Sequence, residues 1–207
     1  MKYKNFRDFK IIRTCEREYK SYNSYRKVLK KDFHNRCAYC NTYDYILEPL
    51  TYAIDHYVPR AIFKDKDKTL DYNYNNLMYT CPKCNSEKKD KYYIEEVSEN
   101  LEIKNSLFYN PVEVDYNEIF YRDELGSIQS EDKKGKEMIA LLKLYRPLYN
   151  FAWLLEELHY INEKINNKLR DDNLSIEARE KLETALCKIN SYYIEMDKLF
   201  KKSYKMK

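Results

Sequence analysis

The stretch CAYCNTYDYILEPLTYAIDHYVPRAIFKDKDKTLDYNYNNLMYTCPKCNSEKKDK, residues 37–91, decides the fold. It opens on Cys37 and Cys40 and nearly closes on Cys81 and Cys84, two Cys-x-x-Cys pairs with 40 residues between them. Each pair supplies two thiolates from one tight turn, and four thiolates at about 2.3 Å complete a tetrahedral zinc site. The interval exceeds the roughly 15–20 residues of an ordinary zinc ribbon. The inserted segment is therefore expected to be a folded excursion that carries something. It contains Asp55, His56 and Asn76, and Asn85 follows Cys84 directly.

After Cys40, TYDYILEPLTYAIDHYVPR alternates β-branched and aromatic residues about Glu48-Pro49, a pattern that predicts two short strands joined by a turn. Asp55 and His56 end the second strand, and Pro59 stops the ladder. FKDKDKTLDYNYNN reads as a polar loop leading to Asn76. From Pro82, PKCNSEKKDKYYIEEV has a proline at a helix start and no later breaker, so a helix is expected with Cys84 and Asn85 in its first turn. The predicted unit is strand, strand, helix, pinned by one zinc.

Hydrolysis of a phosphodiester with one metal ion needs a base for water, hard oxygen ligands for Mg²⁺ or a similar ion, and a cation near the phosphate. Asp55 and His56 offer the first two, Asn85 a further oxygen ligand, and Lys88 and Lys89 the cations. Asn76 is placed to hold the His56 loop. Each has a plainer reading: Asp-His as a chance dipeptide, Asn76 as a turn former, Asn85 as a helix cap, the lysines as solvated. The ordered conjunction is the stronger signal.

These residues resemble the HNH endonuclease family, whose ββα-metal site is similar to IDHYVPR, NNLMYTC and CPKCNSEKK in order and approximate spacing. The resemblance implies His56 as general base, Asp55 as metal-binding acid and Asn76 as the residue that orients the base; Arg60, Lys88 and Lys89 are the residues expected to contact substrate. Asn85 stands where the family name has its last His, which resembles the HNN variants in which that Asn binds the metal. The segment LFYNPVEVDYNEIFYRDELGSIQSEDKKGKEMIALLKLYRPLYN is similar to the region after the site in HNH proteins of retron and Septu-type defence systems, through Asn110-Pro111, Gly126, Lys134-Gly135, Ile139, Leu142, Leu144, Arg146 and Pro147. The implied activity is metal-dependent endonucleolysis of DNA with structural zinc and catalytic Mg or Mn, in prokaryotic anti-phage defence or restriction. The alternative is a non-catalytic zinc module that binds nucleic acid or a partner protein.

Around this core the expected class is α+β: a small zinc-pinned ββα-metal core with flanking helices and a C-terminal helical hairpin. The expected divisions are a basic N-terminal arm and helix at 1–36, the nuclease core at 37–92, an acidic connector with a β-hairpin at 93–132, and a helical region at 133–207. Charge follows them. Lys and Arg number 12 against 4 acidic residues in 1–36, but 2 against 11 in 92–132. A basic arm can track phosphates, whereas an acidic segment repels them. KSYNSYRKVLKKDFHN, from about Lys20, has helical spacing and delivers the chain to Cys37. His34 is read as a helix-end residue, since four cysteines already complete the tetrahedron.

Gly126 marks a hairpin turn. Helices follow at about Lys134 to Leu144, Leu148 to Leu169 and Ile176 to Phe200. The last two carry matching apolar stripes, Trp153 to Leu169 and Leu182 to Phe200, which predict an intramolecular hairpin. A defence-system ATPase is the partner class expected for these helices. No apolar run approaches the roughly 18 residues of a membrane span, and MKYKNFRDFK has charges where a signal peptide has its apolar core, so a cytoplasmic location is expected. In a reducing compartment, six cysteines with four in metal spacing favour zinc over disulfides.

Overall fold

The computed structural model describes residues 4–47, 52–65, 68–92 and 107–205, which divide into two compact units. The first comprises the described residues of 1–124 and 128–145. Its short N-terminal strand β1 (Lys4–Asn5) leads through an extended segment to helix α1 (Arg26–Asp32). Strand β2 (Ala53–His56) and helix α2 (Arg60–Phe63) follow, then β3 (Leu77–Thr80) and α3 (Pro82–Lys88). After the undescribed 93–106 come α4 (Tyr116–Ile119), β4 (Tyr121–Arg122), β5 (Ile128–Gln129) and α5 (Lys133–Leu141). β2 and β3 form an antiparallel ribbon that opposes Asp55 to Met78 and His56 to Leu77. β1, β4 and β5 make a separate antiparallel sheet with β4 central.

The α+β class, the four-cysteine cluster and the C-terminal helices agree with expectation, but the ribbon is assembled differently. The first strand expected after Cys40 is a 3-10 turn, Asp44–Leu47. Its carboxylate at Asp44 is held by the Tyr79 hydroxyl at 2.8 Å and by Lys30 at 2.7 Å. The Glu48-Pro49 turn lies outside the described residues. The second strand of the ribbon is Leu77–Thr80, whose four residues are all buried. A strand covered on both faces shows no polar alternation, so LMYT gives no period-2 signal.

The helix beginning at Pro82 also ends early, at Lys88, where Lys89 turns to φ +44° and its N–H donates to Asn85 O. The expected continuation through Ile94-Glu95-Glu96-Val97 lies outside the described residues. The helix expected from Lys20 is a 3-10 turn at Tyr22–Tyr25 followed by α1. His34 lies just past its end at φ +52°, with its ring 4.2 Å from that of Phe9.

The basic arm is partly turned inward. Arg7 is 5% exposed and donates to Ala38 O at 2.7 Å, and Arg13 donates to Leu77 O at 2.7 Å. Two of the cations expected to track phosphates thus brace the site's backbone instead.

The second unit comprises Leu125–Ser127 with α6 (Pro147–Leu169) and α7 (Ile176–Lys205). Gly126 adopts φ +75° and lies against Trp153, with no room for a Cβ, which is why glycine serves at this turn. The two long helices pack along each other, with Asn162 Nδ2 donating to Asn190 Oδ1 at 2.6 Å. Leu155, Ile165 and Phe200 are buried, while Ile161 and Tyr193 of the predicted stripes stay exposed at 41% and 37%. His159 is exposed, 3.6 Å from Glu163 one turn on. No described helix is long and apolar enough to cross a membrane.

Candidate functional site

The four cysteines meet as the spacing requires. Cys37 and Cys40 lie on the turn after α1, and Cys81 and Cys84 bracket the start of α3, where the Cys84 N–H donates to Cys81 Sγ at 3.3 Å. All four are buried, and their Sγ atoms lie within 4.8 Å of one another. A tetrahedron with arms of about 2.3 Å has edges of about 3.8 Å, and Cys40 Sγ to Cys81 Sγ measures 3.8 Å. The donor set fits a tetrahedral thiolate-bound ion. Burial pushes the Cys81 and Cys84 thiols up. Cys37 is held well below the usual thiol value, because hydrogen bonds from the other three outweigh its burial.

The ββα unit places the remaining candidates. His56 ends β2 and is 8% exposed. Its Nε2 lies 2.9 Å from the main-chain carbonyl of Asp71 and 3.3 Å from Asp71 Oδ1. Tyr22 meets the ring edge-on at 5.2 Å, and Phe63 lies 6.0 Å away. Burial, assisted by the Arg60 charge, moves the imidazole pKa below its usual value, with Asp71 pulling the other way. Arg60, at the start of α2, pairs with Asp71 Oδ1 through Nε and lies 4.5 Å over the Tyr22 ring.

Asn76 is fully buried and binds the His56 loop along its length. Its Oδ1 accepts from Val58 N–H at 2.8 Å, its Nδ2 donates to Val58 O at 3.3 Å and Leu70 O at 3.1 Å, and its carbonyl accepts from Tyr57 N–H at 2.8 Å. The side chain thereby ties together the segments before and after the two residues that meet at His56 Nε2.

Asp55, on the strand face opposite His56, is buried in an ion pair. Lys88 reaches back from the last turn of α3, its ammonium 3.1 Å from Asp55 Oδ2 and 3.2 Å from Oδ1, and donates to His56 O at 2.8 Å. The Tyr39 hydroxyl donates to Asp55 Oδ2 at 2.9 Å. Burial pushes the Asp55 pKa up, and the Lys88 charge is the largest influence opposing it. Lys88 is 0% exposed. The surface lysine expected to meet a phosphate is thus an interior residue, while its neighbour Lys89 is exposed. Asn85 is half-buried one turn before Lys88, and among the described residues its side-chain amide makes no hydrogen bond.

Sequence reading missed Asp71, Tyr39, Arg7 and Arg122. Asp71 is one of three acids in the loop before Asn76, and nothing local singles it out. Tyr39 occupies a variable position inside Cys-x-x-Cys, which carries no signal. Arg122 Nη2 donates to Cys40 O at 3.2 Å, from a strand 82 residues away.

Residues 37–91 match the model of the HNH endonuclease family. The chain is 30% identical over 142 residues to the Septu protein PtuB of Bacillus mycoides (strain KBAB4), covering 59% of this chain and 47% of that protein. It therefore spans about half the length of the curated relative it matches. No solved structure matches. Over residues 37–91, where the cysteine cluster and His56 lie, the chain carries the HNH endonuclease motif that its sequence led us to expect.

Proposed function

We propose that this chain is a metal-dependent endonuclease that hydrolyses phosphodiester bonds in DNA, with His56 as the general base. The observation that carries the proposal is the hydrogen bonding of the imidazole. Both partners of Nε2, Asp71 O and Asp71 Oδ1, are acceptors, so Nε2 holds the proton and Nδ1 bears the lone pair. The lowered pKa keeps that lone pair available at neutral pH. Asn76 fixes the loop on either side, so the ring's orientation is set before substrate arrives.

Asp55 and Asn85 would hold a Mg²⁺ or Mn²⁺ ion. An ion on Asp55 would share the carboxylate with the Lys88 ammonium, 3.1 Å from Oδ2, while among the described residues the Asn85 side chain makes no hydrogen bond. Such an ion, when bound, stabilises charge on the phosphate and on the leaving oxygen. Arg60, four residues after His56, and Lys89, just past the end of α3, are exposed cations assigned to neighbouring phosphates. The four cysteines hold zinc as scaffold, separate from the reaction. The likeness to a Septu protein supports a role in defence against phage. An ATPase or another defence-system protein is then the partner class for α6 and α7.

The test is plasmid nicking with Mg²⁺ or Mn²⁺, comparing the wild type with His56→Ala. Loss of about 10²–10⁴-fold in rate is expected for removal of a general base. Equal cleavage by the two proteins overturns the assignment.

A further inference from the structure

We propose that a cavity walled by residues 13–18 and 69–75 takes an unpaired nucleobase of the DNA strand, stacked on Tyr72, so that the chain acts on single-stranded or locally opened DNA. The inference rests on the nuclease reading given above, but on none of the groups around Asp55. The cavity measures about 650 Å³, within the roughly 300–1,000 Å³ of small-ligand pockets. Its charged lining residues are Arg13, Glu16, Arg17 and Glu18, two of each sign. Such a lining gives a phosphate no net attraction and suits a neutral heteroaromatic ring.

Two of the rings in the wall are already partnered. Tyr25 and Tyr74 stack with centroids 5.2 Å apart, and the Arg13 guanidinium lies 4.8 Å over Tyr74 while donating to Leu77 O at 2.7 Å. The Tyr74 hydroxyl accepts from Thr14 N–H at 3.3 Å, which joins the two sides of the cavity. Tyr72 is different. It is half-buried, and among the described residues its ring meets no other ring or cation and its hydroxyl makes no hydrogen bond. An unstacked base uses such a ring as its platform, and the stacking tolerates any base. Asn75 also lines the cavity, and among the described residues its side-chain amide makes no hydrogen bond, so it is available to a base edge. A base inside a duplex is stacked and paired, which puts its faces and its edge out of reach. Tyr72 directly follows Asp71, whose carbonyl lies 2.9 Å from His56 Nε2. The platform and the carbonyl that holds the imidazole thus lie on adjacent residues, and a nucleobase docked there belongs to the strand presented to His56.

The experiment reads the fluorescence anisotropy of labelled oligodeoxynucleotides with the zinc-loaded chain, at one fixed salt concentration and without added Mg²⁺ or Mn²⁺, so that binding is measured apart from cleavage. Three ligands of equal length are compared: a single strand, its fully paired duplex, and a strand of abasic sites with the sugar-phosphate backbone intact. The single strand is expected to bind about tenfold tighter than either of the others. Tyr72→Leu, which keeps apolar bulk and removes the ring, is expected to lose most of that advantage and to bind the abasic strand as the wild type does, whereas Tyr72→Phe retains it. Should Tyr72→Leu fail to fold, the wild-type comparison of intact and abasic strands decides alone. Equal wild-type affinity for those two strands, or an unchanged advantage in folded Tyr72→Leu, overturns the base site and leaves the nuclease reading to the His56→Ala comparison. A Tyr72-dependent advantage without His56-dependent nicking overturns the nuclease reading and leaves the base site standing.

Discussion

The guanidinium of Arg7 donates to the main-chain carbonyl of Ala38 at 2.7 Å, between the two cysteines of the first pair and among the rings of Phe6, Phe9 and Tyr116. Burial lowers its pKa to about 10, still far above neutrality, so the charge is retained. Four thiolates around a divalent ion leave two negative charges over, and Arg7 with Arg122 brings two positive ones to the backbone of that turn. Arg7→Met is expected to lower stability by about 2 kcal/mol, the scale of a buried hydrogen bond from a charged donor. It is also expected to speed zinc transfer to a chromophoric chelator. Unchanged urea midpoint and chelation rate would show that the contact is incidental.

Replacing one ligand tests the cluster directly. Cys81 supplies a sulfur and also accepts the Cys84 N–H at the first turn of α3. Cys81→Ser is expected to lose bound zinc and with it the register of α3 against β3, since metal binding is coupled to folding in units of this size. Elemental analysis and near-ultraviolet circular dichroism read the two effects. A variant that stays folded with full zinc content contradicts the scaffold role.

How much of this could be read from sequence depended on whether the signal was local. The Cys-x-x-Cys pairs are local, and the order Asp55, His56, Asn76, Asn85 is a string. β3 was illegible because all four of its residues are buried, so its pattern lacks polar alternation. Lys88 was misread because a Lys-Lys pair at a helix end ordinarily points to water. Only the chain reversal at Lys89 and the approach of β2 put one ammonium inside and leave the other out. Asp71 acquires meaning only once the loop folds its carbonyl onto His56. Long-range placement, not composition, decided each of these.

Asn76 makes three side-chain hydrogen bonds from a fully buried position. Asn76→Ala leaves Val58 N–H, Val58 O and Leu70 O without that partner, at an expected cost of about 3 kcal/mol. Asn76→Asp should be worse, because a carboxylate would face the two carbonyls that Nδ2 now donates to. In metal-supported nicking assays, the folded fraction of Asn76→Ala should show a lower kcat with KM nearly unchanged, since the base is misaligned while phosphate contacts remain. The opposite order of urea midpoints for the two variants would contradict the hydrogen-bond assignment.

The lowered pKa of His56 fixes the sign of two pH dependences. In the unfolded chain the imidazole takes its proton near pH 6.5, whereas in the fold it does so only at lower pH. Between those values the unfolded state binds more protons. Stability is therefore expected to fall as pH drops below about 6.5 and to level off below the folded pKa. Activity needs neutral imidazole, so the acid limb of kcat/KM should lie below pH 6.5. Arg60→Gln sharpens the test. Burial, the largest cause of the lowering, is left in place, but the Arg60 charge is removed and Asp71 loses its neutralising partner. Both changes favour the imidazolium, so the acid limb should move towards higher pH in this variant. A limb that stays fixed, or moves to lower pH, would mean that the titrating group is not His56.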